Sequence, residues 1–294
     1  MSRDQDLLKQ LSRTRNLPTL PQVVHLALTH LDVNRNGALD VAAVIAEDPA
    51  MTARVLKVAN SVLFNPSTDR VVSASDAIAR VGFDEVRRIV ITIGVIDGFK
   101  KAKCNFNYVR YWRHCIATGL LAEIVAGASP VASSEPAFPI TEYFPAGLLH
   151  DIGVLPMATA LKQRYTRLID QCAAKEEALE VMEKKRFGVT HAEIGGNIVE
   201  SWRIAEAIGQ GAKYHDDPET APLPSRTFVR VIHVADWLAN SFDFGLLESN
   251  CNPARLDPIW CKLALSETDI PQIRESFTSA LKESRLLGLL GSIK

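Results

Sequence analysis

Apolar residues return every three or four positions along nearly the whole chain, the spacing of one face of an α-helix. "LPTLPQVVHLALTHL" opens with two prolines and then sets Val23, Val24, Ala27, Leu28 and Leu31 on one stripe. "LDVAAVIAEDPAMTARVLKVANSVLF" divides into two helices. Asp48 predicts the cap of the second, and Pro49 suits its first turn, where no amide donor is needed. "SASDAIARVGFDEVRRIVITIGVIDGF" predicts two more, parted at Gly82. Its β-branched stretch "IVITIGVI" has the composition of a buried strand, but it continues the pattern of "FDEVRR" and is read as helix. "GASPVASSEPAFPITEYFP" is rich in Pro, Ser and Ala and predicts a loop. "IWCKLAL" and "IPQIRESFTSALKESRLL" predict short amphipathic helices near the end. No alternating polar–apolar run predicts a strand elsewhere. The expected fold class is all-α: an N-terminal helical lobe (1–106) packed on a second helical lobe (107–245), with a C-terminal helical extension (246–294).

Composition narrows the function classes. A chain of 294 residues suits two compact units. Hydrophobic residues make up 47% and charged residues 23%, as in an ordinary globular protein. Lys and Arg number 33 against 34 Asp and Glu, a formal net charge of −1. That balance gives no global attraction to nucleic acid or to an anionic membrane. "DEVRRIVITIG" offers a single Arg pair and no basic stripe, so DNA binding is not expected. "MSRDQDLLKQLSRTRN" is charged throughout, unlike a secretory signal. No apolar run long enough to cross a bilayer is expected. The five cysteines (104, 115, 172, 251 and 261) are odd in number and form no CxxC. They read as reduced thiols of a cytoplasmic protein. Cys115, beside His114, is read as a core thiol rather than a site residue.

The candidate chemistry lies in polar residues set among apolar ones. "AGLLHDIGVLP" carries His150 and Asp151 side by side in an otherwise apolar run. A buried carboxylate there needs a partner, because desolvating it alone costs several kcal/mol. His114 shares a helical face with Tyr111, Thr118 and Leu121 and by itself suits a structural role. His191 follows Thr190, and Thr190 with Glu193 predicts a capping box, so His191 falls in the first turn of a helix. A cation gains nothing from the dipole there, which favours the neutral imidazole that a metal requires; a solvated helix start is equally consistent. His215 extends the stripe Ile204, Ile208, Gly211, and also suits a helix C-terminus. Asp236 lies in "TFVRVIHVADWLANSF", apolar on opposite stripes, and burial is expected for it. His233, one turn away, suits either a partner that supports a ligand or plain packing and is read as packed; His25 and His30 are read as ordinary. His and Asp together suit Fe, Mn, Ni or Zn, and no cysteine is required.

The ordered set His114, His150–Asp151, His191, His215, Asp236 resembles the HD superfamily of metal-dependent phosphohydrolases. More closely, the chain resembles the HDOD family, bacterial signalling output domains related to HD-GYP phosphodiesterases. The matching pieces are "LPTLPQVV", "IAEDPAMTARVLKVANSVLFN", "DAIARVGFDEVRRIVI", "YWRHCIATGLLAEIVA", "AGLLHDIGVL", "FGVTHAEIGGNIVESWRIAEAIGQGAKYHDDP" and "VIHVADWLAN", covering about residues 16–240. The resemblance implies an HD-type helical second lobe. It makes His114, His150, Asp151 and Asp236 primary ligands of a divalent metal, and His191 and His215 ligands of a second. Many HDOD proteins have lost some of these ligands, and the family is often regarded as non-catalytic. Three departures from HD-GYP enzymes stand out: Tyr214–His215 replaces a His pair, Val154 replaces a lysine after HDIG, and "DDPETAPLP" replaces the GYP loop. These argue against cyclic-di-GMP hydrolysis.

Such a site, with one or two ions, would centre on Asp151 as the catalytic carboxylate and bridge. Arg113, Lys185, Arg186 and Lys213 flank the motif helices and are the candidate contacts for a substrate phosphate. The resemblance implies a signal-transduction output module whose partners are signalling proteins or a nucleotide-type ligand. The retained ligands imply an alternative, a phosphohydrolase acting on a nucleotide or another phosphoester. No sensor or receiver domain is recognised, so a signal would come from a separate protein or ligand.

Overall fold

In the computed structural model, residues 20–29, 38–61, 69–99, 106–134, 138–175, 177–246, 258–284 and 286–292 are described. His30, Cys104, Cys251 and the charged N-terminal stretch lie outside them. Among the described residues every regular element is helical.

The chain divides into two units. One comprises residues 18–100 with 281–292. It contains α1 (Gln22–Thr29), α2 (Ala38–Ala46), α3 (Pro49–Ala59), α4 (Ala74–Val81) and α5 (Phe83–Phe99). Asp48 caps α3 as predicted, accepting from the amides of Ala50 and Met51 at 3.0 Å each. Gly82 parts α4 from α5 at φ +94°, a conformation that favours glycine. "IVITIGVI" is helical, and Ile89 to Ile96 are buried along α5. A residue buried on nearly all sides gains from β-branched bulk whatever its backbone, so tertiary burial overrides the strand preference here. Gly94 lets α1 approach, for a Cβ there would stand 1.9 Å from a methyl of Val24. Asn60 bridges to residue 71, donating to the carbonyl of Val71 at 2.7 Å and accepting from its amide at 2.8 Å.

The other unit comprises residues 101–280. Its elements are α6 (Tyr108–Ala128), α7 (Pro130–Ser134), α8 (Tyr143–Leu149), α9 (Val154–Leu161), α10 (Gln163–Lys175), α11 (Leu179–Phe187), α12 (His191–Ser201), α13 (Glu206–Tyr214), α14 (Leu223–Ala239), α15 (Pro258–Lys262) and α16 (Ile270–Ser284) up to residue 280. Among them α8 packs on α6, α13 and α14, α14 packs on α6 and α13 as well, and α12 packs on α13. Glycine brings α8 close to α6: a Cβ on Gly147 of α8 would sit 2.7 Å from the Cα of Gly119 of α6. The stretch read as a loop instead holds α7 and a 3₁₀ turn, Ile140–Glu142, and its last three residues begin α8. Pro130 occupies the first turn of α7, where its missing amide hydrogen costs nothing, so proline marks a helix start there rather than a break.

One membrane expectation is corrected. Ile140–Leu161 is long and apolar enough to cross a bilayer by length and composition. In the structure its most apolar window is 83% buried within the protein. The chain breaks there into the 3₁₀ turn, α8 and α9, with His150 and Asp151 in the turn between α8 and α9.

Candidate metal centre

Six of the predicted residues converge, all within residues 101–280. His114 projects from the second turn of α6 and is 1% exposed. His150 closes α8, and Asp151 follows in the turn before α9. His191 is the first residue of α12, behind the predicted capping box: Glu193 N–H donates to Thr190 Oγ1 at 3.1 Å and Thr190 N–H to Glu193 Oε2 at 3.0 Å. His215 ends α13. Asp236 lies in the last turn of α14.

The four imidazoles are held alike. Each Nδ1 meets an acceptor: His114 the carbonyl of Phe244 (3.1 Å), His150 that of Gly147 (2.7 Å), His191 the carboxylate of Glu183 (2.8 Å) and His215 the carbonyl of Ala212 (3.2 Å). Nδ1–H donation fixes the tautomer, so each Nε2 offers a lone pair. Those four lone pairs face Asp151. Its Oδ2 lies 3.5 Å from His114 Nε2 and 3.4 Å from His150 Nε2. Its Oδ1 lies 3.1 Å from His191 Nε2 and 3.4 Å from His215 Nε2. Within the pairs, Nε2 atoms stand 3.3 Å apart for His114–His150 and 3.2 Å for His191–His215. Asp236 Oδ1 lies 3.0 Å from His114 Nε2 and 3.7 Å from His150 Nε2, and accepts from Asn240 Nδ2 at 3.0 Å.

A cluster made only of acceptors repels itself unless a cation sits among them. Without a metal, protons serve. Burial alone would push His114 down, but its bonds to Asp151 and Asp236 outweigh this and raise it to about 10. Burial likewise opposes the charge on His215, and the carboxylates of Asp216 and Asp151 raise it to about 9. His191 is raised well above the usual value against its burial, by Glu183, Asp216 and Asp151. Burial would raise Asp151, but the surrounding imidazoles hold it well below the ordinary carboxylate range. Asp236 is lowered to about 2, where the bond and charge of His114 overcome desolvation. The donor set fits a divalent transition metal: neutral Nε2 atoms whose other ring nitrogen is tied, beside carboxylates. His114, His150 and Asp151 form one buried ligand group, and Asp151, His191 and His215 another.

Several sequence expectations need adjustment. Asp236 is not buried: 27% of its side chain is exposed. It falls on the half-exposed stripe of α14 with His233, Trp237 and Asn240, between the two buried stripes. His233 takes the supporting reading rather than the packed one, since its Nδ1 donates to the carbonyl of His215 at 2.6 Å. Cys115 is buried and supplies no ligand atom to either group. The four basic candidates are exposed. Arg113 stacks on Phe244, Arg186 donates to Gln171 at 3.0 Å, and Lys213 lies over Tyr214.

Two acidic residues escaped the sequence reading. Glu183, fully buried on α11, accepts from the amide of His191 at 2.7 Å, from its ring, and from the hydroxyl of Tyr165. Its signal was present: Leu179, Glu183 and Phe187 are spaced four apart on one buried stripe, with a carboxylate in the middle. Asp216 follows His215, and its oxygens lie 3.5 Å from the Nε2 atoms of His191 and His215.

A turn of π type, Asn240–Phe244, completes the surroundings. It bends at Asp243, φ +65°, a left-handed conformation that Asp tolerates better than most residues. The turn presents the Phe244 carbonyl to His114, and Arg110 Nε donates to the next carbonyl, Gly245, at 2.8 Å.

Comparison with known proteins agrees with this architecture. Residues 17–218 match the HDOD domain. An uncharacterized protein of Treponema pallidum (strain Nichols) is 24% identical over 234 residues, 79% of this chain and 44% of that protein. The chain thus spans less than half the length of that relative. Among solved structures, an HDOD domain protein from Geobacter sulfurreducens aligns over 99% of this chain and 98% of its own, with TM-score 0.77 and 22% identity. A "Putative phosphohydrolase" from Shewanella amazonensis SB2B aligns over 97% of each chain, with TM-score 0.68 and 23% identity. With more than half its length matched to that domain, the chain belongs to the HDOD family.

Proposed function

We propose that the chain is a metal-dependent phosphohydrolase of the HDOD family, acting on a nucleotide or another phosphoester. One observation carries the reading: four histidines with tied Nδ1 atoms aim their Nε2 lone pairs at the two oxygens of one buried aspartate. His114, His150, Asp151 and Asp236 would hold an ion, with His191 and His215 beyond Asp151. A bound divalent ion supplies Lewis acidity and hydroxide at neutral pH. The protein's own part is orientation. Glu183 and the carbonyls of Phe244, Gly147 and Ala212 take the Nδ1 hydrogens, so that each Nε2 is the atom pointed inward for a metal. Asp236 and Asp216, 27% and 22% exposed, leave the cluster open to solvent on their side, where a phosphoester would enter.

A second reading is a signalling output module in which the metal is structural and the helical surface meets a signalling protein or nucleotide-type ligand. The occupation of Arg113, Arg186 and Lys213 elsewhere favours it. One experiment separates the two. Chelator-stripped protein is reloaded anaerobically with Mn²⁺ or Fe²⁺ and given p-nitrophenyl phosphate, bis-p-nitrophenyl phosphate and common nucleotides. Phosphoester cleavage that needs the metal and is lost in Asp151→Asn is expected. Full metal loading without turnover of any of them would replace the hydrolase with the structural-metal module.

A further inference from the structure

We infer that Asp216 is a metal ligand, closing a second divalent-cation site with Asp151, His191 and His215. The inference rests on the reading of the cluster as a metal centre and adds a residue to it. Asp216 has no apolar-stripe signature in the sequence; it is simply the residue after His215.

The separations His191–His215 (3.2 Å), His191–Asp151 (3.1 Å), His215–Asp151 (3.4 Å), His191 Nε2–Asp216 Oδ2 (3.5 Å) and His215 Nε2–Asp216 Oδ1 (3.5 Å) fall in a narrow band, with the Asp216 carboxylate spanning the imidazole pair as a bidentate ligand does. Ligands about 2.1 Å from a common ion stand roughly 3.0–3.5 Å apart along the edges of an octahedron or tetrahedron. A charge-assisted N–H···O bond would instead draw nitrogen and oxygen to about 2.7–2.9 Å. The two Asp216 contacts are too long for direct bonds and suit an ion between the groups.

Asp216 Oδ2 is shielded from solvent yet has no hydrogen-bond partner. A carboxylate oxygen in that condition is costly unless a cation meets it.

The two halves of the cluster correspond. Oδ2 of Asp151 faces His114 and His150, with Asp236 at 3.0 Å from the first imidazole. Oδ1 faces His191 and His215, with Asp216 Oδ2 at 3.5 Å from the first and its Oδ1 at 3.5 Å from the second. Each half therefore has two imidazoles, one oxygen of the shared aspartate and one terminal carboxylate. The residue types agree: Asp151, Asp216, Asp236 and the buried Glu183 are four carboxyl groups around the four imidazoles, a number that formally balances two divalent ions.

The test uses the full chain loaded with Mn²⁺ under anaerobic conditions. Bound metal per chain is counted by mass spectrometry, and electron paramagnetic resonance reports whether ions are magnetically coupled. Wild type, Asp216→Asn and Asp216→Glu are compared, with circular dichroism confirming that each is folded. Wild type should hold two coupled ions. Asp216→Asn should lose the coupling and bind its second ion more than about 10-fold more weakly, and Asp216→Glu should restore two. Two coupled ions of unchanged affinity in Asp216→Asn would remove Asp216 from the ligand set and leave the metal centre standing. A single ion in wild type, indifferent to Asp216, would do the same. No metal in wild type would overturn the metal centre itself and this inference with it.

Discussion

Gly153 meets the backbone of His191 so closely that a Cβ on Gly153 would stand 1.9 Å from the His191 carbonyl oxygen. The same atom would lie 2.7 Å from the amide nitrogen of Gly195. The glycine two positions after Asp151 therefore sets how near the His150–Asp151 turn comes to α12. A methyl in that place displaces backbone, not a flexible side chain. Gly153→Ala should destabilise the protein by about 1–3 kcal/mol and separate Asp151 from His191. A melting curve and a metal titration check both effects. An unchanged melting temperature with full metal affinity would show that the contact relaxes freely.

Glu183 holds His191 from behind through both its amide and its ring. Glu183→Gln keeps the shape and removes the charge. Its amide side chain competes for the tautomer of His191, and outer partners of this kind are worth about 10–100-fold in metal affinity. The variant should stay folded and lose affinity in that range, read by calorimetric titration with Mn²⁺. Glu183→Ala should do worse, stranding the Tyr165 hydroxyl and a His191 ring already cut off from water. Equal affinity in wild type and Glu183→Gln would mean that the carboxylate serves packing alone.

Metal and protons compete for the same lone pairs. In the metal-free centre His114 is raised to about 10 and His215 to about 9, so both are protonated at neutral pH. A metal must expel those protons, and its affinity rises as pH rises toward the raised values. Each displaced proton contributes about tenfold per pH unit. Titrations in two buffers of different ionisation enthalpy should report net proton release at neutral pH. An affinity flat across neutral and alkaline pH would contradict the geometry that raises these groups.

Bound metal should also stabilise the fold, because the unfolded chain lacks the assembled ligands. At free metal 100 times the dissociation constant the gain is about 2.7 kcal/mol. Thermal unfolding with and without chelator measures it. A melting temperature indifferent to chelator, in protein shown to carry metal, would place the ion outside this cluster.

The parts of the fold and of the site legible in the sequence are those tied to local pattern. The Asp48 cap and the Thr190–Glu193 box need only neighbouring residues, and both appear as read. His150 and Asp151 stood out because nothing apolar explains them. The partners that make the histidines ligands were not legible, because they are backbone carbonyls or come from distant segments. Phe244 reaches His114 across 130 residues, through a turn whose left-handed Asp243 has no helical period to announce it. Glu183 was findable by the logic applied to Asp236, a carboxylate on an apolar stripe, and that logic misjudged Asp236 itself. Hydrophobic neighbours on two stripes of α14 do not fix the exposure of the third. Asp216 lies just past a helix end, where periodicity says nothing, and only the assembled structure brings it to His191.

The most direct measurement is the metal content of the purified full chain after anaerobic loading with Mn²⁺ or Fe²⁺, beside Asp151→Ala. The account predicts one or two ions per wild-type chain and none firmly held by the variant, since Asp151 touches both imidazole pairs. Wild type that takes up no metal, or Asp151→Ala that keeps as much as wild type, would contradict it.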